Sequence, residues 1–232
     1  MLLSKRLQKI ADYISPGSRV ADVGTDHGYI PVWLVQNGVC EHVYASDLRP
    51  EPLKRAVESA EKNGVSDRIS FVLCPGLEKY SPQELDTVII AGMGGETIIE
   101  ILAAAPWARE KELILQPQTK IPELRSWLNS SGYDVAEASL VADTGRIYLV
   151  WRCVSGGGRE LAIHELYVDR TLFERGDGLL GIYIDSIVKK LRHKVQGMKK
   201  ARAVDPRELE HCEAAIDGLL KMKEEAQNAK GM

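Results

Sequence analysis

Five short apolar runs, each followed by a stretch of helical periodicity, fill the first half of the chain, and then two runs come back to back. The runs near 19–23, 42–46, 69–73, 86–91 and 112–116 have the length and composition of strands buried on both faces. Residues 28–38, 50–63, 95–104 and 120–131 read as helices between them. Such alternation builds a parallel sheet with helices on both faces. Pro50 and Pro52 suit a helix start, where a missing N–H costs little, and Asn63-Gly64 suits a helix end. The finish departs from the pattern. "YDVAEASLVAD" (133–143) and "GRIYLVWRC" (145–153) are separated only by Thr144-Gly145, which predicts an antiparallel hairpin with a reversed strand near 146–153. The expected fold is therefore α/β, Rossmann-like, with a mixed seven-stranded sheet.

"MLLSKRLQKIADYI" at the start is an amphipathic helix pattern (Leu3, Leu7, Ile10, Ile14), too short and too charged for a signal peptide. "SGGGR" (155–159) reads as a flexible linker by composition. Beyond it Ile184, Ile187, Val188, Leu191, Val195 and Met198 repeat at three- and four-residue spacing. After Asp205-Pro206, Leu209, Cys212, Ile216 and Leu219 do the same. Two such helices joined by a short turn predict an antiparallel, coiled-coil-like hairpin. The expected division is 1–155 for the α/β domain and 156–232 for the helical one.

With 44% hydrophobic and 27% charged residues and no apolar run of membrane-span length, the composition is that of a soluble globular protein. Four widely spaced cysteines (Cys40, Cys74, Cys153, Cys212) form no metal-binding or disulfide pattern, so reduced thiols and a cytoplasmic location are expected, with no metal. The net charge of −3 excludes a bulk nucleic-acid binder, and any such contact must come from a local patch.

"RVADVGTDHGYIPVWL" (19–34) holds the first chemically informative turn. Asp26 stands where a dinucleotide-binding GxGxxG would carry glycine, and a carboxylate there repels a pyrophosphate. An amino-acid cofactor with an ammonium group is attracted instead. Asp22, Gly24, Thr25 and Gly28 are thus candidates for an S-adenosylmethionine site. Asp47, at the end of the second strand, either accepts from two ribose hydroxyls or caps the helix at Pro50. With the glycine turn upstream the ribose role is expected. Gly76-Leu77 offer a backbone N–H and an apolar surface for an adenine, or form an ordinary loop.

"VIIAGMGGETI" (88–98) ends the fourth strand in three glycines among four positions, so backbone can approach a ligand there. Gly92, Met93 and Gly94 are placed with the cofactor, Gly95 and Glu96 with the substrate, although Glu96 also suits a helix start electrostatically. Gln116 and Gln118 end the fifth strand at the same edge, where an amide can read a base. They are otherwise solvated. "KKLRHKVQGMKKAR" (189–202) carries seven Lys and Arg and no acid. Lys189, Lys190, Arg192, Lys199, Lys200 and Arg202 are candidate RNA phosphate contacts, in competition with a solvated face paired to the acidic helix that follows.

Together "DVGTDHGYIP", "ASD", "GMGGETI", "LILQPQ", "LRSWLNSSGYDVAEASLV" and "IYLVWR" resemble the bacterial tRNA adenine-N1 methyltransferases that act on position 22. The resemblance implies a class I methyltransferase fold, S-adenosyl-L-methionine as cofactor and tRNA as partner; a monomer is expected. Adenine N1 has an in-plane lone pair, so the reaction needs alignment and a carboxylate against the arriving positive charge more than a strong base. Asp26 is the first catalytic candidate and His27 the second; His27 otherwise serves as a helix-start residue bonded to backbone. The alternatives are a methyltransferase for another nucleobase or a small molecule, or a noncatalytic RNA-binding module keeping the fold. Against an adenine-N6 enzyme, the fourth strand ends in Gly-Met-Gly-Gly rather than Asn/Asp-Pro-Pro-Tyr/Phe.

Overall fold

The computed structural model describes residues 1–201 and 203–230. Strands β1 (Val20–Val23), β2 (Val43–Asp47), β3 (Ile69–Leu73), β4 (Thr87–Gly94), β5 (Glu112–Thr119), β6 (Tyr133–Asp143) and β7 (Arg146–Ser155) form one sheet in the order β3-β2-β1-β4-β5-β7-β6. The first five are parallel, and β7 runs antiparallel to both β5 and β6. The hairpin turn places Thr144 and Gly145 at φ 47° and 75°, the left-handed pair that a two-residue turn between twisted strands requires.

Helices α1 (Lys5–Ala11), α2 (Tyr29–Gln36) and α3 (Pro50–Lys62) cover one face, and α4 (Gly95–Ala104) and α5 (Ile121–Ser130) the other. Along β4, Val88 and Ile90 join the core under α4 and α5 while Ile89 joins the opposite core. This two-residue alternation buries both faces and explains why the central parallel strands β1 and β4 read as near-continuous apolar runs. The Gly-Met-Gly-Gly string differs from a simple turn: β4 continues through Gly94, pairing Met93 with Pro117 and Gly94 with Thr119 across two register irregularities. Such bulges re-aim backbone at a sheet rim.

The remaining helices are α6 (Arg170–Glu174), α7 (Leu180–Lys200) and α8 (Pro206–Lys230). Leu180, Ile184, Val188, Leu191 and Val195 of α7 share a seam with Cys212, Ile216, Leu219 and Met222 of α8. The pairs Lys223–Asp185 and Lys194–Glu208 show that the two run antiparallel. This seam and the core under α4 and α5 form one continuous cluster, which also holds Val168 and Leu172. The glycine segment is pinned, contrary to its composition. Gly156 N–H donates to the Gly132 carbonyl, Gly158 N–H to the Asn129 carbonyl, and the Asn129 amide to the Arg159 carbonyl. A Cβ at Gly157 would lie 2.5 Å from the Tyr133 carbonyl oxygen, so this glycine permits close packing of the segment on β6.

Among the described residues no helix is long and apolar enough to cross a membrane, and no cluster of three His, Cys, Asp or Glu could hold a metal ion. All four cysteines are buried and unpaired.

Candidate active site

The chain leaves β1 for β2 and β3, then crosses back to β4 and β5, so a crevice opens where the strand order reverses. A cavity of about 890 Å³ lies there, framed by the carboxyl ends of β1, β2, β4 and β5. The turn after β1 is fastened to its neighbour, because the N–H groups of Gly24 and Thr25 both donate to the Ser46 carbonyl at 2.8 and 2.9 Å. Gly24 has φ 74°, and a Cβ on it would sit 2.1 Å from the Met93 methyl, which lies directly over the turn.

Asp22 is 4% exposed and accepts the Thr25 hydroxyl at 2.7 Å. Burial pushes its carboxyl up to about 6, the Asp47 charge adds to the rise, and the Thr25 hydrogen bond opposes it. Asp47 is 7% exposed and accepts the Arg49 N–H through Oδ1 at 2.9 Å. Arg49 itself occupies the N-cap position of α3 with no side-chain cap. The capping role left open for Asp47 is therefore not taken, and its second oxygen has no partner among the described residues. Beside it Cys74, Pro75, Gly76 and Leu77 form an end wall, tied to β2 by the Cys74 N–H to the Asp47 carbonyl. Ala91, Gly92 and Met93 of β4 and Gln118 of β5 form the opposite wall.

Asp26 and His27 both reach the cavity, at its rim. The Asp26 carboxylate is ion-paired with Arg55 at 2.6 Å and lies 3.6 Å from His27 Nε2. Because α3 follows β2, the Arg55 pair ties Asp26 to the β2 side of the turn, away from Gln118. The His27 ring stacks on Tyr29, with centroids 5.1 Å apart and planes at 8°.

Five residues expected at the cavity do not line it. Gly28 packs against α3 instead, where a Cβ would lie 3.0 Å from the Ala56 Cβ. Gly94 and Gly95 face inward: Cβ atoms there would lie 3.0 Å from Thr119 Oγ1 and 2.4 Å from the Lys120 carbonyl, so both are glycine for packing of α4 on β5 and α5. Glu96 turns outward to Lys120 at 3.5 Å. Gln116 is fully buried behind the wall, where it accepts from Arg6 at 2.7 Å and donates to the Pro117 carbonyl at 3.0 Å. The basic block divides. Lys194 and Lys199 pair with Glu208 and Glu213 of α8. Lys189, Lys190, Arg192 and Lys200 are exposed and meet no carboxylate among the described residues, while Arg202 lies outside them.

Sequence periodicity misses Arg6, Tyr29, Leu48 and Arg49, all of which line the cavity. Leu48 and Tyr29 are 66% and 43% exposed. A large apolar residue directly after Asp47 or Gly28 is the one signal that marks them. Arg6 sits in a helix whose charged positions look like an ordinary solvated face.

A methyltransferase-domain family model matches residues 3–151. The chain belongs to that family. The tRNA (adenine(22)-N(1))-methyltransferase of Bacillus subtilis (strain 168) is 36% identical over 150 residues, which are 64% of this chain and 63% of that protein. The crystal structure of the B. subtilis m1A22 tRNA methyltransferase TrmK superposes with a TM-score of 0.84 at 27% identity, covering 96% of this chain and 99% of that one. A putative tRNA (m1A22) methyltransferase of Streptococcus pneumoniae, solved in complex with S-adenosyl-L-methionine, gives 0.78 at 25% identity over 96% and 100%. The methyltransferase-domain match ends on β7, so helices α6 to α8 lie beyond it.

Proposed function

We propose that this chain uses S-adenosylmethionine to methylate N1 of adenine 22 in tRNA. The observation that carries the proposal is the arrangement of Asp22 and Asp47: two buried carboxylates on one cavity, next to a glycine turn and a bare β4 rim, in a chain related to enzymes named for this reaction. The residues suit the cofactor. Asp22 and the Gly24–Gly28 turn offer a carboxylate and close backbone to an ammonium group. Asp47 has a free oxygen for ribose hydroxyls, and Gly76 and Leu77 give a flat apolar wall for an adenine. When bound, S-adenosylmethionine supplies an electrophilic methyl on a sulfonium sulfur.

The protein's own task is alignment, since N1 already carries its lone pair. Gly92 presents backbone without a side chain on the wall facing the carboxylates, and the Gln118 amide beside it can donate to or accept from a base edge. We place Asp26, whose charge Arg55 balances, and His27, stacked on Tyr29, at the cofactor end of the site, away from the Gln118 side where the base would sit. The four unpaired basic residues of α7 are the proposed tRNA contact outside the cavity, with 1–155 as catalytic and 156–232 as substrate-gripping domains. A monomer in the cytoplasm, with its four reduced cysteines, completes the proposal. The test is transfer of labelled methyl to an unmodified tRNA transcript and to the same transcript with guanine at position 22. Transfer to the first alone supports the assignment, and equal transfer to both contradicts it.

Changing Lys189, Lys190, Arg192 and Lys200 to Glu is expected to weaken tRNA binding by roughly a hundredfold at low salt, because each lost cation removes a counterion-releasing phosphate contact. Cofactor affinity stays unchanged. Filter binding over a salt series checks this, and retained tRNA affinity would leave the block as a solvated face.

Asp22 gives a pH dependence whose sign is fixed. The folded chain holds this proton more tightly than the unfolded chain, so the ionised carboxyl costs the free fold stability above about pH 6, a cost relieved as pH falls. Binding of an ammonium runs the other way, because it requires the ionised form. Cofactor affinity is therefore expected to fall as pH drops through about 6, by up to about tenfold per unit. Calorimetry between pH 5 and 8 reads this as an approximate order-of-magnitude effect, and Asp22→Asn flattens the profile.

A further inference from the structure

Arg6 combines two features, a place on the cavity wall and partial burial, in a cation that makes no ion pair among the described residues. It is half-buried and lines the cavity, yet no carboxylate lies within 4.0 Å of its guanidinium among the described residues. A guanidinium turned to an open cavity with no carboxylate in ion-pair reach is available to an anionic ligand. The group is also held in place. Nη1 donates to Gln116 Oε1 at 2.7 Å, and the guanidinium carbon lies 5.1 Å from the centre of the Tyr148 ring, over its face. The Asp143 carboxylate accepts the Arg6 backbone N–H at 3.1 Å. Hydrogen bonds from the Ser4 side chain and from that backbone N–H, with the Arg6 charge adding, hold the Asp143 carboxyl below its usual range, while its oxygens stay beyond ion-pair distance of the guanidinium. Full burial of Gln116, unexpected for an amide at a strand end, is explained by this support: the amide bridges Arg6 to the Pro117 carbonyl.

The location narrows what the ligand is. A Cβ built on Gly92 would lie 3.6 Å from Gln118 Nε2 and 3.7 Å from Arg6 Nη1, so the three meet at one point on the β4–β5 wall. Asp22, Asp47 and the Cys74–Leu77 wall lie toward β1 and β2. An oxyanion at Arg6 comes either from the nucleotide undergoing methylation or from the carboxylate of the cofactor's amino-acid part.

We propose that Arg6 binds a phosphate of the nucleotide that carries the target adenine, fixing the base over Gly92 and Gln118. The proposal rests on the tRNA methyltransferase function given above. A guanidinium fork matches a phosphate bidentately, and Lys keeps the charge without the fork.

Arg6→Gln and Arg6→Lys enzymes are compared with the wild type in three measurements: steady-state kinetics with unmodified tRNA, salt dependence of tRNA binding, and S-adenosylmethionine calorimetry. Loss of a charge-assisted phosphate contact is expected to raise the KM for tRNA by about tenfold to a hundredfold in Arg6→Gln. The slope of log affinity against log salt falls by about 0.7 to 0.9, the share of one phosphate. Arg6→Lys recovers the slope but only part of the KM, and cofactor affinity is unchanged in both. A merely structural arginine would not move the salt slope, and Arg6→Lys serves as the folded variant should Arg6→Gln not fold. Unchanged KM and slope overturn the proposal. So does a loss that falls on cofactor affinity, which assigns the guanidinium to the carboxylate. Wild-type enzyme that transfers no methyl to tRNA removes the function beneath it, and Arg6 with it.

Discussion

Asp47→Ala is expected to weaken S-adenosylmethionine binding by about a hundredfold and to bring methyl transfer at ordinary cofactor concentrations close to zero. Asp47 is nearly buried at the end of β2, with one oxygen held by the Arg49 N–H and the other facing the cavity unpartnered. The first contact fixes the rotamer, so the second oxygen is presented to a ribose without further ordering. Charge-assisted hydrogen bonds of this kind each contribute about 1.5–3 kcal/mol, and one or two of them account for the expected loss. Asp47→Asn separates geometry from charge: it keeps an acceptor for Arg49 but removes the negative neighbour that helps raise the Asp22 carboxyl. Its cofactor affinity should fall less, and the midpoint of the pH profile should move down. Calorimetry reads both variants, and unchanged affinity in Asp47→Ala would remove the ribose role.

The largest stability effect is expected from Asp169→Ala. Arg125 on α5 is 1% exposed and donates from Nε to Asp169 at 3.0 Å, and the Asp169 side chain is 2% exposed. The other Asp169 oxygen accepts the Thr171 N–H at the start of α6, so one carboxylate both caps α6 and neutralises α5. Asp134, at 4.0 Å and half exposed, is too far and too wet to replace it. Breaking a buried pair from one side typically costs about 3–5 kcal/mol, because the surviving charge is left desolvated. For a chain of this size that corresponds to a fall in Tm of roughly 10 °C. The paired change Arg125→Met with Asp169→Leu should recover most of the loss, since the desolvation cost disappears with the charges. Thermal melts of the single and double variants decide this; equal destabilisation by both would show that the ion pair is not the cause.

Much of the frame was legible in the residues because its causes are local. Two-face burial makes the central strands β1 and β4 near-continuous apolar runs, and Thr144-Gly145 encodes a two-residue turn, so the mixed sheet follows from composition and spacing. Asp22, Gly24, Thr25, Asp47, Gly76, Leu77, Gly92 and Met93 meet at one cavity because each sits at or just beyond the carboxyl end of a strand, a position that strand order alone specifies. What stayed hidden depends on contacts between distant segments. Gly95 is glycine because α4 packs against the Lys120 carbonyl, and Gln116 is turned inward by an arginine 110 positions earlier. Asp26 reads as a free carboxylate until Arg55, 29 positions later, is seen to hold it. The glycines of 156–158 likewise read as a linker until Asn129 and Gly132 are seen to bind them.

The central claim is methylation at N1 of adenine 22, and the most direct measurement is nucleoside mapping of the product. Purified protein is incubated with S-adenosylmethionine and an unmodified tRNA transcript bearing adenine at position 22, and the RNA is then digested and read by mass spectrometry. The expected result is 1-methyladenosine confined to the fragment containing position 22. Methylation at another base or another atom, or no methylation by protein that binds the cofactor, would contradict it.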